Sequence, residues 1–315
     1  FKKQFTVSYE PGDHGTFDKQ TTSGLDYGTT TPEFDGTPAG EEGYTLGGWI
    51  PAVAETVTTD VSYVAQWTAN EDTKYTVEYY YQTNGTYGAA ESPVTRSGRT
   101  DTKVQVTAKD KEPSKTGYVF DTAAANVLEG TISGKGDLVL KVYFKEQFSV
   151  TYAPGSQGTF TSQTTGSLDY NAATPGFNGT PTGNAGYTFA GWTPEVADKV
   201  TGNAVYTAQW TANEDTKYTV EYYYQSETDG TYPATADERS ERQGTTAATV
   251  TVTAKDKTPS RAGYVFDETN VSNVLSGTIA GNGSTVLKVY FKKQFTVSYE
   301  PGDHGTFDKQ TTSGL

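Results

Sequence analysis

Residues 1–25 read FKKQFTVSYEPGDHGTFDKQTTSGL, and residues 291–315 repeat this stretch without a change. A looser copy, FSVTYAPGSQGTFTSQTTGSL, lies between them at residues 148–168. From Phe5 onward, apolar and polar residues alternate until a Pro-Gly pair at positions 11–12 ends the pattern. Such alternation before a turn signal predicts a strand with one buried face. We therefore expect a tandem array in which this strand opens each unit.

The array alternates two unlike segments, which we call A and B. Their landmarks recur after about 145 residues, since Trp49 returns as Trp192 and Trp67 returns as Trp210. Segment A holds these tryptophan motifs, whereas segment B holds a tyrosine-rich run and a glycine-rich turn pattern. The predicted domains are A1 (1–70), B1 (71–146), A2 (147–213), B2 (214–293) and the start of a third A segment (294–315).

Strand signals dominate both segments. In Tyr75–Gln82 the odd-numbered residues are apolar or aromatic and share one face, and Val61–Trp67 is a second predicted strand. Leu138–Phe144 is predicted to form a hairpin with Val127–Ile132. Short helices are expected near Thr21–Tyr27, Ala52–Val57 and Thr122–Val127. The sequence therefore predicts mostly-β or β-rich α+β domains, each built on a small mixed sheet, and we choose the β-rich α+β class.

Composition narrows the classes of protein and of site. The net charge is −14 and the pI is about 4.6, which argues against nucleic acids and anionic membranes as partners. No run approaches the roughly 18 apolar residues of a membrane span. The chain has no cysteine, which excludes disulfides, thiolate metal sites and cysteine nucleophiles. Domains of this size are marginal alone, so we expect neighbouring repeats to stabilise one another.

No catalytic or cofactor constellation recurs between the copies. The two histidines, His14 and His304, occupy one repeat position, where A2 has Gln157 instead. A site that every unit needs would be kept in all of them. We therefore expect His14 and His304 to be residues of a turn without a functional role. We therefore predict no enzyme, no cofactor and no metal ion.

The tyrosine-rich strand is the best candidate for ligand binding. Alternation places Tyr80 and Tyr223 on the face opposite the buried set. A tyrosine exposed beside polar groups stacks well on a sugar, whereas one covered by a neighbouring strand or domain has a structural role. The tryptophans are predicted to form structural cores, and they are Trp49, Trp67, Trp192 and Trp210.

The A segments resemble the Listeria–Bacteroides repeat, also called the internalin B-type repeat. The matching pieces are GYTLGGW at 43–49 and YVAQW at 63–67, with GYTFAGW at 186–192 and YTAQW at 206–210. The B segments resemble mucin-binding-protein-type repeats of Gram-positive surface adhesins, through YTVEYYYQ, VTAKDK, GYVFD and LKVYFK. Both resemblances imply ubiquitin-like β-grasp domains, here in tandem as an elongated rod on a bacterial cell wall.

These resemblances imply a structural stalk or fibre segment that projects a distal binding domain. The alternative is a multivalent binder of mucin glycans or host matrix, in which weak repeated sites add avidity. The A–B boundary at residues 65–82 is copied without change at 208–225, which indicates a fixed interdomain geometry. The repeated stretch 291–315 also leaves open a head-to-tail self-association.

Two further recurrent features have alternative explanations. The acidic pair at 71–72 returns at 214–215, where it is either part of a Ca²⁺ clamp or, as we expect, a solvated linker. Strand lysines that recur in both copies are either snorkelling side chains or partners in isopeptide crosslinks, and they are Lys74, Lys141, Lys217 and Lys288.

Overall fold

The computed structural model describes residues 1–315 and consists almost entirely of strands. Strands hold 48% of the residues, and no helix reaches seven residues. Two 3₁₀ turns, Lys109–Lys111 and Lys255–Lys257, are the helical elements. None of the helices is long and apolar enough to cross a lipid bilayer. The predicted α+β class is therefore wrong, although its β-rich content is consistent with the structure.

The three predicted helices fail for local reasons. Thr21–Tyr27 falls largely within the strand Gln20–Asp26, where β-branched threonines favour an extended backbone. Ala52–Val57 is irregular, and Thr122–Val127 forms turns. In that turn the Asn126 side chain donates to the backbone carbonyl of Asp121 at 2.7 Å, which competes with helix formation. The helix expected for a β-grasp domain is likewise absent.

The A1 sheet has four main strands in the order β3-β1-β6-β5. Its strands are β1 (Gln4–Glu10), β2 (Gly15–Thr16), β3 (Gln20–Asp26), β4 (Ala39–Gly40), β5 (Tyr44–Ile50) and β6 (Val61–Ala69). The central pair, β1 and β6, is parallel, and the outer pairs are antiparallel. Phe5, Val7 and Tyr9 of β1 are buried with Tyr63 of β6. The strands predicted from Phe5 and at Val61–Trp67 are confirmed.

B1 has the same plan in its main sheet, with the order β9-β7-β13-β11. Its strands are β7 (Thr73–Thr83), β8 (Thr86–Tyr87), β9 (Glu91–Gly98), β10 (Lys103–Gln105), β11 (Tyr118–Phe120), β12 (Glu129–Thr131) and β13 (Val139–Ala153). Strands β7 and β13 are parallel, and β10 pairs with β12. The strand predicted at Tyr75–Gln82 is confirmed. The hairpin predicted for Leu138–Phe144 is wrong, because only Val127 bridges to Lys141.

A2 and B2 repeat these arrangements. The strands are β14 (Gln163–Asp169), β15 (Tyr187–Thr193), β16 (Ala204–Ala212), β17 (Thr216–Tyr224), β18 (Glu238–Gly244), β19 (Thr249–Thr251), β20 (Tyr264–Phe266), β21 (Ser276–Thr278) and β22 (Val286–Lys293). In A2 the end of β13 pairs in parallel with β16, and in B2 the central parallel pair is β17 and β22. The last two strands, β23 (Thr296–Tyr299) and β24 (Gln310–Ser313), form a separate antiparallel hairpin.

The chain divides into two compact units. Unit 1 comprises 1–148, 166–173 and 199–202, and unit 2 comprises 149–165, 174–198 and 203–315. Unit 1 therefore contains all of A1 and all of B1, and unit 2 contains most of A2 and all of B2. Each A–B boundary lies within one unit.

Candidate functional site

The boundary between A1 and B1 is a hydrogen-bonded junction centred on Asn70. The Asn70 backbone N–H donates to the Gly43 carbonyl at 2.8 Å, and the Asn70 carbonyl accepts from the Thr100 N–H at 2.9 Å. The Thr45 hydroxyl donates to the Asn70 side-chain oxygen at 2.7 Å. The hydroxyls of Thr73 and Thr100 lie 2.7 Å apart. One linker residue thus connects β5 of A1 to the turn that follows β9 of B1.

The boundary between A2 and B2 repeats this junction bond for bond. The Asn213 N–H donates to the Gly186 carbonyl at 2.8 Å, and its carbonyl accepts from the Thr246 N–H at 2.8 Å. The Thr188 hydroxyl donates to the Asn213 side-chain oxygen at 2.7 Å. The hydroxyls of Thr216 and Thr246 lie 2.6 Å apart. The same geometry therefore recurs in both copies.

Close backbone approach fixes both junctions sterically. A Cβ atom on Gly134 would lie 1.6 Å from the carbonyl oxygen of Glu42, and one on Gly281 would lie 1.7 Å from that of Ala185. Gly43 has a φ of +85°, which favours glycine at the turn facing Gly134. Side chains larger than hydrogen cannot enter this contact without moving the two domains of the pair apart.

The rim of the junction, in contrast, differs between copies. In A1 the His14 ring stacks on Tyr44 at 4.2 Å and contacts Glu41 at 3.2 Å, beside a cleft of about 700 Å³. In A2 the corresponding contact joins Gln157 and Asn184 at 2.9 Å. Tyr44 also donates a hydrogen bond to Asp101, where B2 has an alanine. The chemistry of this rim is therefore not repeated.

The recurrent acidic pair lies at the same boundary. Glu71 is exposed and forms a surface ion pair with Arg99 at 3.1 Å. The chain contains no cluster of three or more His, Cys, Asp or Glu side chains arranged to hold a metal ion. The structure thus gives no support to a Ca²⁺ clamp at this position.

The two candidate ligand-binding tyrosines lie in matching stacked pairs. The Tyr80 ring stacks on Tyr143 across β7 and β13, with centroids 4.5 Å apart and an 11° interplanar angle. The Tyr223 ring stacks on Tyr290 in the same way at 4.6 Å. Tyr80 is half-buried, but Tyr223 is only 4% exposed, so a sugar cannot stack on it. The recurrent feature of this position is the stack, not an accessible ring.

The hydroxyl groups of these tyrosines are also engaged. Tyr80 donates to Glu78, and Tyr223 donates to Glu221 at 2.6 Å. The hydrogen bond to Glu78 raises the pKa of Tyr80 to about 12. Burial, with the bond to Glu221, raises the pKa of Tyr223 to about 12. Both hydroxyls therefore remain donors to a neighbouring carboxylate.

A third tyrosine closes each stack from the side, and the sequence reasoning did not assign it a role. Tyr87 packs edge-on against the stack in B1 and donates to Asp121 at 2.6 Å. In B2, Tyr232 makes the same contacts and donates to Asp267 at 2.9 Å. The signal was present in the recurrent NGTY and DGTY motifs, whose tyrosine keeps its place although the loops differ in length.

A buried Arg–Asp network is the other recurrent feature that sequence reasoning missed. In B1 the Arg96 guanidinium donates two hydrogen bonds to Asp110, one of them at 2.9 Å. The Tyr79 hydroxyl donates to the same carboxylate at 2.7 Å, as does the Thr107 backbone N–H. The Asp110 side chain is 4% exposed, and the Arg96 guanidinium holds the pKa of its carboxyl well below the usual range.

B2 contains the same network with equivalent partners. Asp256 accepts from Arg242 and from the Tyr222 hydroxyl at 2.8 Å, and the Thr253 N–H donates to it at 2.7 Å. Asp256 is the acid of the second VTAKDK motif, just as Asp110 is the acid of the first. This acid therefore anchors the 3₁₀ turn to β17 and β18, as its counterpart does to β7 and β9.

A cleft lies beside the Arg–Asp network in each B domain, with a volume of about 570 Å³ in B1 and 470 Å³ in B2. In B1 the Lys115 ammonium lies 4.4 Å from the Tyr81 ring centroid and pairs with Glu91 at 2.6 Å. In B2, Arg261 lies 4.2 Å from the Tyr224 ring. The cleft recurs, and its wall carries an Arg–Asp ion pair in each copy, Arg96 with Asp110 in B1 and Arg242 with Asp256 in B2.

The tryptophans pack within the A domains. Trp49 meets Tyr9 edge-on at 4.8 Å, and the Trp67 indole N–H donates to the Pro11 carbonyl at 2.7 Å. All four tryptophans are partly buried. The A2 equivalents are Trp192, which meets Tyr152 at 4.7 Å, and Trp210, which donates to Pro154 at 2.8 Å.

The recurrent lysines do not lie in crosslink geometry. Lys217 is exposed and lies 3.5 Å from Glu241, and Lys74 is exposed at the equivalent position. The ammonium groups of Lys141 and Lys288 each lie 5.8 Å from a tyrosine ring centroid. These contacts are those of surface ion pairs and cation–π pairs, so they give no support to isopeptide bonds.

Neither a protein-family model nor a curated protein matches this chain. The resemblance to the two repeat families therefore stays a prediction from the motifs.

Proposed function

We propose that this chain is a structural stalk or fibre segment of a bacterial cell-surface adhesin, located outside a Gram-positive cell wall. In this role it projects a distal binding domain and has no catalytic activity and no cofactor. The observation that carries the proposal is the A–B junction, whose bonds are the same in both copies although its rim is not. A spacer needs rigid connections between its domains. A binding site at the rim that served every copy would need the same side chains there in each copy.

The junction has the physical properties of a stiff connection. Only Asn70, Glu71 and Asp72 separate β6 from β7, and the first of these is bonded to both domains. At the glycine contact the two backbones lie too close to admit a Cβ atom, which restricts movement of the paired domains toward each other. Domains joined by a small polar interface usually move relative to each other. The close backbone contact and the hydrogen bonds of Asn70 oppose such motion here, and they therefore support a spacer.

Distance measurements between spin labels test the stiffness of the junction. The chain has no cysteine, so two labels attach uniquely at introduced cysteines. We would label exposed Asp18→Cys and Thr116→Cys in the A1–B1 pair, and exposed Thr161→Cys and Ala262→Cys in the A2–B2 pair. Pulsed dipolar spectroscopy is expected to give one narrow distance distribution for each pair, with similar means.

Glycine variants provide matched controls for this measurement. Gly134→Ala is expected to broaden or shift the A1–B1 distribution only, and Gly281→Ala the A2–B2 distribution only, because each inserted methyl meets a backbone carbonyl. Circular dichroism checks that each variant keeps its sheets. Broad distributions in the unsubstituted chain, like those of a flexible linker, would overturn the proposal.

The second candidate function is multivalent binding of mucin glycans or host matrix. The observation in its favour is the cleft that recurs in B1 and B2 with a tyrosine, a cation and a carboxylate on its wall. Glycan binding that is lost in Lys109→Ala with Lys255→Ala, the exposed cations that line the cleft in both copies, would support this alternative. Loss in Tyr80→Ala alone would instead point to the half-buried stack of B1.

A further inference from the structure

Every domain places its first and last strands side by side and parallel. The paired residues are Val7–Glu10 with Val61–Val64 in A1, Thr76–Tyr81 with Val139–Phe144 in B1, Val150–Ala153 with Ala204–Thr207 in A2, and Thr219–Tyr224 with Val286–Phe291 in B2. We call these the shear pairs. Each shear pair lies within one compact unit.

We propose that the shear pairs make each domain a force-resisting element, and this inference rests on the proposed stalk function. The chain enters a domain at the start of its first strand and leaves it from the end of its last strand. Because the two strands are parallel, these points lie at opposite ends of the pair. Tension along the chain therefore pulls the strands past each other along their own axes.

Load in this direction acts on all the hydrogen bonds of the pair together. The bonds of a parallel ladder run between the strands, so sliding the strands strains every bond before any one breaks. An antiparallel pair with both loaded ends at one edge opens bond by bond instead. The shear pairs therefore oppose tension far better than the antiparallel hairpins of the same sheets.

The geometry also ranks the two kinds of domain. The register of each B shear pair spans six residues on each strand, and that of each A shear pair spans four. In B1, Leu140, Val142 and Phe144 of β13 are fully buried, so sliding would also expose apolar surface. The stack of Tyr80 on Tyr143 bridges the same two strands. The B domains are thus expected to yield at higher force than the A domains.

The two force classes would give the segment graded extensibility. An A domain of about 70 residues releases roughly 230–250 Å of contour length when it unfolds, before any B domain yields. The hairpin β23–β24 has no parallel partner strand, so it is expected to open without a resolved force peak.

Optical-trap stretching of the full chain tests this inference. Handles are attached at Phe1→Cys and Leu315→Cys, both of which are exposed positions. We expect four unfolding events, in a weaker pair assigned to A1 and A2 and a stronger pair assigned to B1 and B2. Events of a single force class would overturn the ranking, and an absence of resolved events would overturn the whole inference.

A change of loading geometry in the same domain provides the matched control. Handles at Lys217→Cys and Gln243→Cys pull apart the directly opposed, antiparallel ends of β17 and β18. Both side chains are exposed, so folding is preserved. We expect B2 to open at roughly half the end-to-end force or less, because these bonds break in sequence. Equal forces in the two geometries would show that shear is not the cause.

The two proposals fail separately. Equal forces would remove the shear mechanism and leave the stalk proposal standing on narrow spin-label distances. Broad spin-label distances together with four unfolding events of high force would overturn the stalk proposal and support the shear mechanism. In that case the domains would resist force while their junctions bend.

Discussion

Residues 1–25 and 291–315 have one sequence and two structures. In the first copy Tyr9 is 2% exposed and lies in a seven-residue strand, β1. In the second copy the same tyrosine, Tyr299, is 60% exposed and lies in a four-residue strand, β23. The residues are identical, so the difference arises from what they pack against.

The two copies agree in their hairpin register. Val7 faces Thr22 in β3, and Val297 faces Thr312 in β24, which is the same pairing. The first copy adds a parallel partner, β6, and its strand is longer and buried. The comparison teaches that local sequence sets the register of the hairpin, whereas the parallel partner supplies the burial and extends the strand.

The contrast reverses at the first residue of the repeated stretch. Phe291 is fully buried at the end of β22, where it faces Tyr224 and packs in the B2 core. Phe1 has the same sequence neighbours downstream and is fully exposed. One stretch therefore contributes to two domains, its first residue to a B core and its alternating run to an A core.

An aspartate in place of the valine that both copies share is expected to give the largest difference in stability between the two copies. Val7→Asp buries an unpaired charge in A1 and is expected to cost about 4 kcal/mol or more. Val297→Asp, in the identical sequence context, is expected to cost less than about 0.5 kcal/mol because the site is exposed. Urea unfolding followed by tryptophan fluorescence reports the loss in A1, which contains Trp49 and Trp67, and hydrogen exchange of β24 reports any loss in the hairpin, which has no tryptophan. Equal costs at the two positions would contradict the role assigned to β6.

Truncation of the phenylalanine that both copies share is expected to destabilise the second copy more than the first. Phe291→Ala leaves a cavity in the B2 core and is expected to cost about 3 kcal/mol, whereas Phe1→Ala is expected to be neutral. Hydrogen exchange of β20 measures the loss, because this strand pairs with β22 at Phe291. Unchanged protection of β20 in Phe291→Ala would argue against that packing.

Acid is expected to weaken B2 but not the hairpin that follows it. The pKa of Asp256 is lowered in the folded state, chiefly by the Arg242 hydrogen bonds. Its contribution is therefore present above the ordinary aspartate pKa and is lost as the pH falls below about 4, on the order of 2 kcal/mol in all. Thermal unfolding of the chain between pH 6 and pH 2 measures this, with hydrogen exchange to locate it.

The control for the acid effect is Asp256→Asn. This variant removes the titrating group, so it is expected to be less stable at neutral pH and to lose less stability in acid. Arg242 then lacks its carboxylate partner. The same pH dependence in the variant and in the unsubstituted chain would assign the effect to other carboxylates.

Self-association through the exposed copy is the smallest expected effect. The hairpin β23–β24 presents Val297 and Tyr299 to solvent beside an unpaired strand edge. We expect weak, concentration-dependent growth in mass by light scattering, reduced by Val297→Lys. Asp308→Lys, an exposed change of charge in the loop, is the control. A strictly monomeric mass at high concentration would contradict head-to-tail association.

The strands that could be predicted are those whose signal is local. Period-two alternation from Phe5 and over Tyr75–Gln82 is visible in the sequence, and both strands form. Pairing was harder, because the partner of Val139–Phe144 in the sheet is β7, which lies far away in the chain. Proximity in sequence favoured a hairpin that is not made.

The candidate sites likewise have a part that the local sequence indicates and a part that only long-range packing decides. The unchanged stretch at 65–82 indicated a special boundary, but not that Asn70 bonds to both Gly43 and Thr100. The Arg–Asp network joins two motifs, and nothing local links Arg96 to Asp110. Short-range patterns predict which residues face inward, and long-range packing decides which of them meet.

Strand β13 also has a consequence for how such a gene can change. Buried residues fall at Leu140, Val142 and Phe144 near its start and at Val150 and Tyr152 near its end, all of them even-numbered. A strand side chain changes face with every residue, so inserting one residue within either group would turn part of that group out of its own core, whereas the alternation inside each group does not depend on the residues that separate the groups. Recombination that gains or loses whole repeats must therefore preserve not only the codon frame but also the alternation within each of these two groups, and the residues between them are where a join disturbs neither core.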